Sequence, residues 1–193
     1  MEENRKKGKL IIFSAPSGAG KTTLVKHVMA HVPDLTFSVS ACNRKKRDNE
    51  TDGKDYYFLT TDEFKEKINK KEFIEWEEVY PDHFYGTLYS EVERKRNRGQ
   101  HVVFDVDVKG GMSIKKIFGN DALAIFIKPP SVEILKERLL KRATDSKEAI
   151  ETRMKKAEFE LGFEKEFDVT IVNGDLDKAQ QETIRVVSKF ISE

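Results

Sequence analysis

The sequence predicts an α/β fold in which a parallel β-sheet is flanked by helices. Short apolar runs rich in β-branched residues alternate with helical patterns, an order that favours parallel strands covered on both faces. The first apolar run ends in a loop of small residues that leads directly into a helix, an arrangement suited to binding phosphate. Polar side chains follow later apolar runs, at the sheet edge where such folds bind ligands.

The phosphate-binding loop lies between a strand over residues 9–14 and a helix over residues 21–31. Glycine lets consecutive N–H groups converge on an anion, and the helix N-terminus adds partial positive charge. Lys21 can reach the β- and γ-phosphates of a nucleotide, and the Thr22 hydroxyl can face a magnesium ion. The pattern G-x-x-x-x-G-K-[ST] is met except at Ala15, which replaces the first glycine. We predict a core of the P-loop NTPase type, the alternative being a turn that binds nothing. The loop and helix start comprise Ala15, Pro16, Ser17, Gly18, Ala19, Gly20, Lys21, Thr22 and Thr23.

Composition limits the function classes. A chain of 193 residues is long enough for one domain with lobes or for two small domains. Its net charge of +1 gives no general attraction to nucleic acid or anionic membranes. Cys42 is the one cysteine, which excludes an internal disulfide and fits a reducing compartment. No apolar stretch approaches the roughly 20 residues of a spanning helix or forms a signal core. We therefore expect a cytoplasmic monomer, or else a dimer, that binds neither nucleic acid nor membrane.

Residues from about 37 to 90 form a small β-rich insert between two α/β elements. Thr60-Thr61-Asp62-Glu63 is typical of a capping box and predicts a helix to about Lys70. The strands predicted around it alternate apolar and polar residues. They cover 35–40, 56–59, 73–80 and 83–87, with a basic loop at 43–55.

The remainder of the chain continues the α/β alternation. Ser131 is the expected N-cap of one helix. From Arg138 the charge density rises, and a helical hairpin with little apolar content is a candidate mobile lid, with a second capping box at Asp145 and Glu148. Strands are predicted at 101–106, 122–127 and 167–173, and helices at 90–98, from Gly110-Gly111 to 118, and at 178–191.

Two side-chain groups have competing interpretations. His27 and His31 lie four residues apart on the first helix and could pair as metal ligands, but no acidic or Cys partner is nearby. The basic run 94–98 is either a nucleic-acid patch or the solvated face of a helix, and the second is the commoner case.

A second phosphorylated ligand would need cations and hydroxyls, and the insert supplies both. Arginine matches phosphate oxygens in bidentate fashion. The candidates are Arg44, Arg47, Tyr56 and Tyr85, and the alternative is that the arginines belong to a solvated loop.

Guanine recognition would need an acceptor for N1–H and the exocyclic amine, and a donor for O6. Glu75 is a carboxylate between apolar residues of a predicted strand, while Ser40 and Thr87 supply hydroxyls. Adenine would present an acceptor at N1 to the carboxylate, and this repulsion discriminates between the bases. The alternative for Glu75 is an exposed strand position.

Five motifs follow one another along the chain. They are Arg44-x-x-Arg47-x-x-Glu50-x-x-Gly53-x-x-Tyr56-x-Phe58-Leu59, Phe73-Ile74-Glu75-Trp76, Tyr85-Gly86-Thr87, Asp105-Val106-Asp107-x-x-Gly110 and Ile171-Val172-Asn173. In these motifs the chain resembles the guanylate kinase family, and the resemblance runs from about Lys9 to the C-terminus. It implies transfer of a phosphoryl group from ATP to GMP or dGMP, with Mg²⁺ as cofactor.

The resemblance also implies roles for individual residues. The GMP phosphate is held by Arg44, Arg47, Tyr56 and Tyr85, and the guanine is read by Ser40, Glu75 and Thr87. Asp105 and Asp107 lie near the magnesium and the ribose, and Thr22 with Asp105 holds the metal, directly or through water. Arg138, Arg142 and Arg153 clamp the transferring group, and Asn173 approaches the adenine. The residues expected to act on the reacting phosphates are Lys21, Arg44, Arg142, Arg153 and Asp105.

The implied architecture is a core, an NMP-binding lobe and a lid. The core covers 1–36, 91–137 and 157–193, the lobe 37–90 and the lid 138–156. Several positions depart from the family pattern. They are Ala15, Cys42-Asn43 in place of a hydroxyl pair, Lys141-Arg142-Ala143 in place of Gly-Arg-Gly, and a turn at 80–83 that is one residue longer.

Two other functions are weighed against this one. Scaffold proteins contain guanylate-kinase-like modules that bind phosphopeptides without catalysis, but these typically lack an intact phosphate loop. A P-loop kinase for another acceptor, such as AMP or a ribose phosphate, is the second alternative, and the Ser40, Glu75 and Thr87 trio argues against it.

Overall fold

The computed structural model of the chain describes residues 6–141 and 147–193. It divides into two compact units. One comprises Thr36–Val102 with the segment up to Lys9, and the other comprises Leu10–Leu35 with Val103–Glu193. The predicted division into core, lobe and lid remains a prediction.

Nine strands and seven α-helices are described along the chain. The strands are β1 (Leu10–Ser14), β2 (Leu35–Phe37), β3 (Ala41–Cys42), β4 (Tyr57–Phe58), β5 (Phe73–Tyr80), β6 (His83–Leu88), β7 (His101–Asp105), β8 (Ala122–Lys128) and β9 (Val169–Val172). The helices are α1 (Lys21–His31), α2 (Thr61–Asn69), α3 (Tyr89–Arg96), α4 (Val108–Phe118), α5 (Val132–Lys141), α6 (Lys147–Leu161) and α7 (Leu176–Ser192). Short 3₁₀ turns lie at Gly119–Asp121 and Glu164–Glu166.

The larger sheet has the strand order β2-β7-β1-β8-β9. β1 pairs in parallel with β8, and β8 pairs in parallel with β9. Every residue of β1 is buried, as expected for a strand covered on both faces. The α/β fold with a parallel sheet flanked by helices, predicted from the alternation of apolar runs, is confirmed.

The insert folds around a second, four-stranded sheet with the order β4-β3-β6-β5. Its core contains Phe64, Phe73 and Phe84, whose rings stack. The predicted capping box is present, because Thr60 Oγ1 accepts from Glu63 N at 3.2 Å and Thr60 N donates to Glu63 Oε2 at 2.7 Å. A Cβ at Gly86 would lie 2.7 Å from the Glu75 carbonyl oxygen, so glycine permits the close approach of β5 and β6.

Two predicted boundaries are wrong for identifiable reasons. The strand predicted over 35–40 ends at Phe37, and Ala41–Cys42 belongs to the other sheet, because apolar alternation does not reveal which neighbour a strand pairs with. The helix predicted from Gly110 begins at Val108, because the Asp107 carboxylate caps it by accepting from Gly110 N at 2.8 Å.

Other predicted ends shift by smaller amounts. α7 begins at Leu176 rather than 178, because Asp175 accepts from Lys178 N at 3.2 Å and caps the helix. Ser131 caps α5 as predicted, accepting from Ile134 N at 3.2 Å. The capping box expected at Asp145 and Glu148 lies outside the described residues.

The basic run on α3 fits neither interpretation completely. Lys95 and Arg96 are buried rather than solvated or offered to nucleic acid. Lys95 Nζ lies 2.6 Å from Glu91 Oε1, and Arg96 Nε donates to the Gly8 carbonyl at 2.8 Å. These two cations therefore stabilise the fold of their own unit.

In the described part of the chain, no helix has both the length and the apolar character needed to cross a membrane.

Candidate active site

The phosphate-binding loop follows β1 and precedes α1. Gly18 and Gly20 both have φ of 95°, a left-handed conformation that favours glycine. Ala19 N donates to the Pro16 carbonyl at 3.0 Å and closes the turn. In the described chain the non-glycine residues with positive φ are Asp34, Lys71 and Asp82. Ala15 is not among them, so its replacement of the usual glycine introduces no backbone strain.

Lys21 is anchored at the end of β7. Its ammonium forms an ion pair with Asp105 and donates to the Val106 carbonyl at 2.8 Å. Both side chains of the pair are largely buried, which strengthens their attraction. Ser14 Oγ donates to the Asp107 carbonyl at 3.0 Å, and the Asp107 carboxylate caps α4. These contacts hold the ends of β1 and β7 at one place.

A cavity of about 480 Å³ lies over the loop, lined by the loop itself, by residues 105–107 and by α6. Arg153 on α6 reaches the loop, where its Nη2 donates to Ser17 Oγ at 2.7 Å. Among the described residues, this cavity contains charged side chains of both signs. They are Lys21, Arg153 and Lys156, and Asp105, Asp107 and Glu160.

Oxygen donors suited to a hard cation share this cavity. The Thr22 hydroxyl and the Asp105 carboxylate both line it, and Mg²⁺ prefers such ligands together with substrate phosphates. Within the described chain, no three His, Cys, Asp or Glu side chains form a metal-binding group. His27 and His31 stack with ring centroids 4.1 Å apart, and His31 Nδ1 lies 2.8 Å from the His27 carbonyl oxygen.

A second cavity of about 350 Å³ opens beside the loop. Asn173 Nδ2 donates to the Ala19 carbonyl at 2.8 Å, and Arg138 Nη2 donates to the Asn173 carbonyl at 3.0 Å. Leu176 lines the same cavity, and its apolar side chain is exposed. The structure therefore places the predicted adenine contact next to the phosphate loop. Arg142, predicted to act with Arg138 and Arg153, lies outside the described residues.

In the insert, Arg44 and Glu50 form a two-pronged ion pair. Nη1 donates to Oε2 at 2.7 Å and Nη2 to Oε1 at 2.5 Å, while Arg47 N also donates to Oε2 at 2.9 Å. Hydrogen bonds from Arg44 and from the Arg47 backbone lower the pKa of Glu50 to about 2, and the pair with Glu50 raises the pKa of Arg44. The carboxylate therefore fixes the direction of the Arg44 guanidinium.

Two tyrosines complete this cluster. The Arg44 guanidinium lies 4.9 Å from the centroid of the Tyr56 ring, and the Tyr56 and Tyr85 rings meet edge to face at 6.0 Å. The structure thus brings Arg44, Tyr56 and Tyr85 together. The Arg47 side chain is exposed, and its described contact is made by its backbone.

The predicted guanine-binding residues lie on neighbouring strands. Glu75 on β5 is opposite Thr87 on β6, and Thr87 Oγ1 donates to Glu75 Oε1 at 2.6 Å. Thr87 is buried and Glu75 half-buried, so the carboxylate is not the exposed strand position of the alternative interpretation. Ser40 is described through its backbone carbonyl, which accepts from Tyr57 N at 2.9 Å. Asp105 and Asp107, also predicted near GMP, belong to the other unit.

Asn43 links several segments of the insert, a role that its sequence position did not indicate. Its Nδ2 donates to Thr61 Oγ1 at 2.9 Å and to the Asp82 carbonyl at 2.7 Å, and its Oδ1 accepts from Phe84 N at 2.7 Å. The Asn43 side chain, which directly precedes Arg44, is thus hydrogen-bonded to Phe84, which directly precedes Tyr85. In the sequence, Asn43 and the longer turn at 80–83 are two departures from the family pattern. In the structure they are joined, because Asn43 donates to the Asp82 carbonyl.

Glu160 was also missed. It is 4% exposed and lines the cavity over the phosphate loop. Burial raises the pKa of its carboxyl group, although the Ser17 backbone N–H donates to it and Lys156 attracts it. The spacing of Arg153 and Glu160 along α6 puts them on one helix face, which was the available signal.

Comparison with known proteins gives consistent matches. A sequence model described as guanylate kinase matches residues 7–190. The guanylate kinase of Bacteroides fragilis strain YCH46 is 50% identical over 183 residues, covering 95% of this chain and 90% of that protein. The guanylate kinase of Salinibacter ruber is 46% identical, covering 95% of this chain and 97% of that protein. The crystal structure of guanylate kinase from Anaplasma phagocytophilum is similar with a TM-score of 0.74 at 27% identity, covering 98% of this chain and 89% of that one.

Proposed function

The chain belongs to the guanylate kinase family, and from that premise we propose how its residues serve phosphoryl transfer. It is a nucleoside monophosphate kinase, an ATP:GMP phosphotransferase that forms ADP and GDP. In such a reaction the protein contributes alignment and charge stabilisation and little covalent chemistry.

We propose that the cavity over the phosphate loop takes the phosphates of ATP. The observation that carries this proposal is the convergence of the Lys21 ammonium, the Arg153 guanidinium and the loop in one cavity. Lys21 would exchange part of its contact with Asp105 for the β- and γ-phosphates, because an ammonium has three donors. The remaining residues assigned to ATP are Ala15, Pro16, Ser17, Gly18, Ala19, Gly20, Thr22, Thr23, Arg138, Arg142 and Asn173.

Thr22 and Asp105 would hold Mg²⁺ here, directly or through water. When bound, the cation neutralises charge on the phosphoryl oxygens. The hard oxygen donors of both side chains support this assignment.

The cluster in the insert is proposed to bind GMP. Arg44 is preorganised by Glu50, so it loses little freedom when it meets a phosphate. Arg47, Tyr56 and Tyr85 would supply further donors. Since the Thr87 hydroxyl donates to Glu75, it supports the carboxylate that would accept from guanine N1–H and the exocyclic amine. Ser40 is the remaining candidate for the base, and Asp105 and Asp107 for the ribose side.

Several finer statements are part of the proposal. Since the contacts assigned to the insert are to the base and phosphate of GMP, dGMP should also be a substrate. The helices α5 and α6, which contribute Arg138 and Arg153, support a lid over 138–156, with the lobe at 37–90 and the core elsewhere. A buried, free Cys42 supports work in a reducing cytoplasm. We further propose a monomer, with a dimer as the alternative, that engages neither nucleic acid nor membrane.

The test is a coupled assay of ADP release with GMP, dGMP, AMP, UMP and ribose phosphates as acceptors. GMP and dGMP should exceed the others in kcat/KM by about 100-fold or more, because the half-buried Glu75 carboxylate pairs with guanine N1–H and rejects adenine N1. No turnover with any acceptor would favour the non-catalytic phosphopeptide-binding module. Preference for AMP or a ribose phosphate would favour the other kinase class.

A further inference from the structure

Glu160 is a buried carboxylate placed in a cavity that is proposed to bind an anion. It is 4% exposed, and within residues 6–141 and 147–193 its Oε2 has no hydrogen-bond partner. Its Oε1 lies 4.0 Å from the Lys156 ammonium, a long ion pair with a lysine that is itself 61% exposed. The Ser17 N–H also donates to the carboxylate. A buried acidic group with these few partners is only partly compensated.

The other charges around this cavity do not compensate the Glu160 carboxylate. The described ionisable side chains that line it are three cations and three carboxylates, so their formal charges cancel. The loop amides and the N-terminus of α1 add only partial positive charge. Among the described side chains that line this cavity, no excess of cations matches the full negative charge that a metal-free nucleoside triphosphate would bring next to Glu160.

We infer that Glu160 makes this site select ATP that carries a divalent cation over metal-free ATP. The inference rests on the proposed binding of the ATP phosphates at Lys21. A bound cation cancels two of the negative charges that the nucleotide brings and attracts the undercompensated carboxylate. The same carboxylate repels the bare nucleotide, so Glu160 opposes the wrong form of the substrate more than it supports the right one.

The experiment measures equilibrium binding of ATP by calorimetry, once with EDTA and once with excess MgCl₂, at one ionic strength. Glu160→Gln keeps the size of the side chain and its oxygen acceptor for Ser17 while removing the charge. The substitution should raise the affinity for metal-free ATP by about tenfold and change the affinity for magnesium-bound ATP by less than about threefold. Glu158→Gln is the matched control, since Glu158 is exposed on the same helix and its loss should alter neither affinity.

A second variant protects the test against misfolding of the first. Lys156→Gln removes the cation beside Glu160 from a largely exposed position. This substitution should increase the preference for magnesium-bound ATP, because it should lower the affinity for metal-free ATP more than the affinity for magnesium-bound ATP.

Three outcomes can be separated. Equal changes in both affinities for Glu160→Gln would overturn the inference and leave Glu160 as structural support for Ser17. Unchanged affinities would overturn it as well. If the unsubstituted protein binds neither form of ATP, the proposed ATP site itself is wrong, and the inference about Glu160 is overturned with it.

Discussion

At the scale of single residues, Lys21 is central to the proposed ATP site. Its ammonium is held by Asp105 and by the Val106 carbonyl, so its position depends on β7 as well as on the loop. Lys21→Ala should lower kcat by about 1,000-fold or more, since charge stabilisation dominates phosphoryl transfer. GMP affinity should stay within about twofold, because the residues assigned to GMP phosphate and base lie in the other unit.

Initial rates and calorimetry with GMP check this prediction. Lys26→Ala is the control, since Lys26 is exposed on the same helix and should be silent. Full activity of Lys21→Ala would refute the assignment of the phosphate loop.

In the proposed assignment, selectivity for guanine depends on Glu75. Glu75→Gln replaces one acceptor oxygen by a donor, which cannot satisfy guanine N1–H or the exocyclic amine. KM for GMP should rise by about 10-fold to 100-fold while KM for ATP changes by less than about twofold. Glu66→Gln, a surface substitution on α2, should leave both KM values unchanged. Equal effects on the two substrates would remove Glu75 from guanine recognition.

The ion pair between Arg44 and Glu50 predicts a pH dependence of stability. The pKa of Glu50 falls from an ordinary 4.5 to about 2 in the folded protein. A lowered pKa contributes stability above about pH 4.5, and this contribution is lost as the pH falls toward 2. Glu50→Gln should therefore unfold with a shallower pH dependence than the unsubstituted protein between pH 4.5 and 2. Urea unfolding across this range measures it, and identical slopes would contradict the pairing.

At the scale of elements, Asn43 joins three segments of the insert. Asp82 has φ of 58°, an uncommon conformation for a non-glycine residue, and its carbonyl accepts from Asn43. Asn43→Ala should lower the free energy of unfolding by about 1–2 kcal/mol. It should also raise KM for GMP by about threefold or more, because Arg44 directly follows Asn43 and Tyr85 directly follows Phe84, whose N–H donates to Asn43.

The KM values for the two substrates separate positioning from a general loss of stability. KM for ATP should stay constant in Asn43→Ala, and Asn120→Ala, an exposed site in the other unit, should change neither value. Parallel rises in both KM values would show that Asn43 acts on stability alone.

The sequence predicted elements best where one local signal was strong. The bounds of α1 and β5 are those predicted, because a glycine loop precedes the helix and large apolar residues interspersed with glutamates mark the strand. The end of β2 was not predicted, since a strand that leaves one sheet for another keeps the same alternation. The start of α4 was misplaced because the capping effect of Asp107 outweighed the poor helix propensity of Gly110 and Gly111.

At the scale of the whole molecule, the sequence indicated the side chains proposed to contact substrates more clearly than the residues that position them. Lys21, Arg44 and Glu75 belong to recognisable motifs. Glu50 was visible in its motif, but its pairing with Arg44 needed coordinates. Glu160 shares a helix face with Arg153, but its spacing does not reveal that the carboxylate is buried, because α6 carries many other charged residues.

The division into two units predicts where each substrate protects the chain. The base and phosphate contacts proposed for GMP lie within Thr36–Val102, whereas those for ATP lie within Leu10–Leu35 and Val103–Glu193. A ligand at 100 times its Kd stabilises its binding form by about 2.7 kcal/mol, which slows amide exchange in the structure it contacts. GMP alone should therefore slow hydrogen exchange in β3, β5 and β6, and ATP with MgCl₂ should slow it around β1 and the start of α1. AMP in place of GMP serves as the control and should protect neither set. If GMP alone protected the phosphate loop as strongly as β6, the assignment of its contacts to the insert would be wrong.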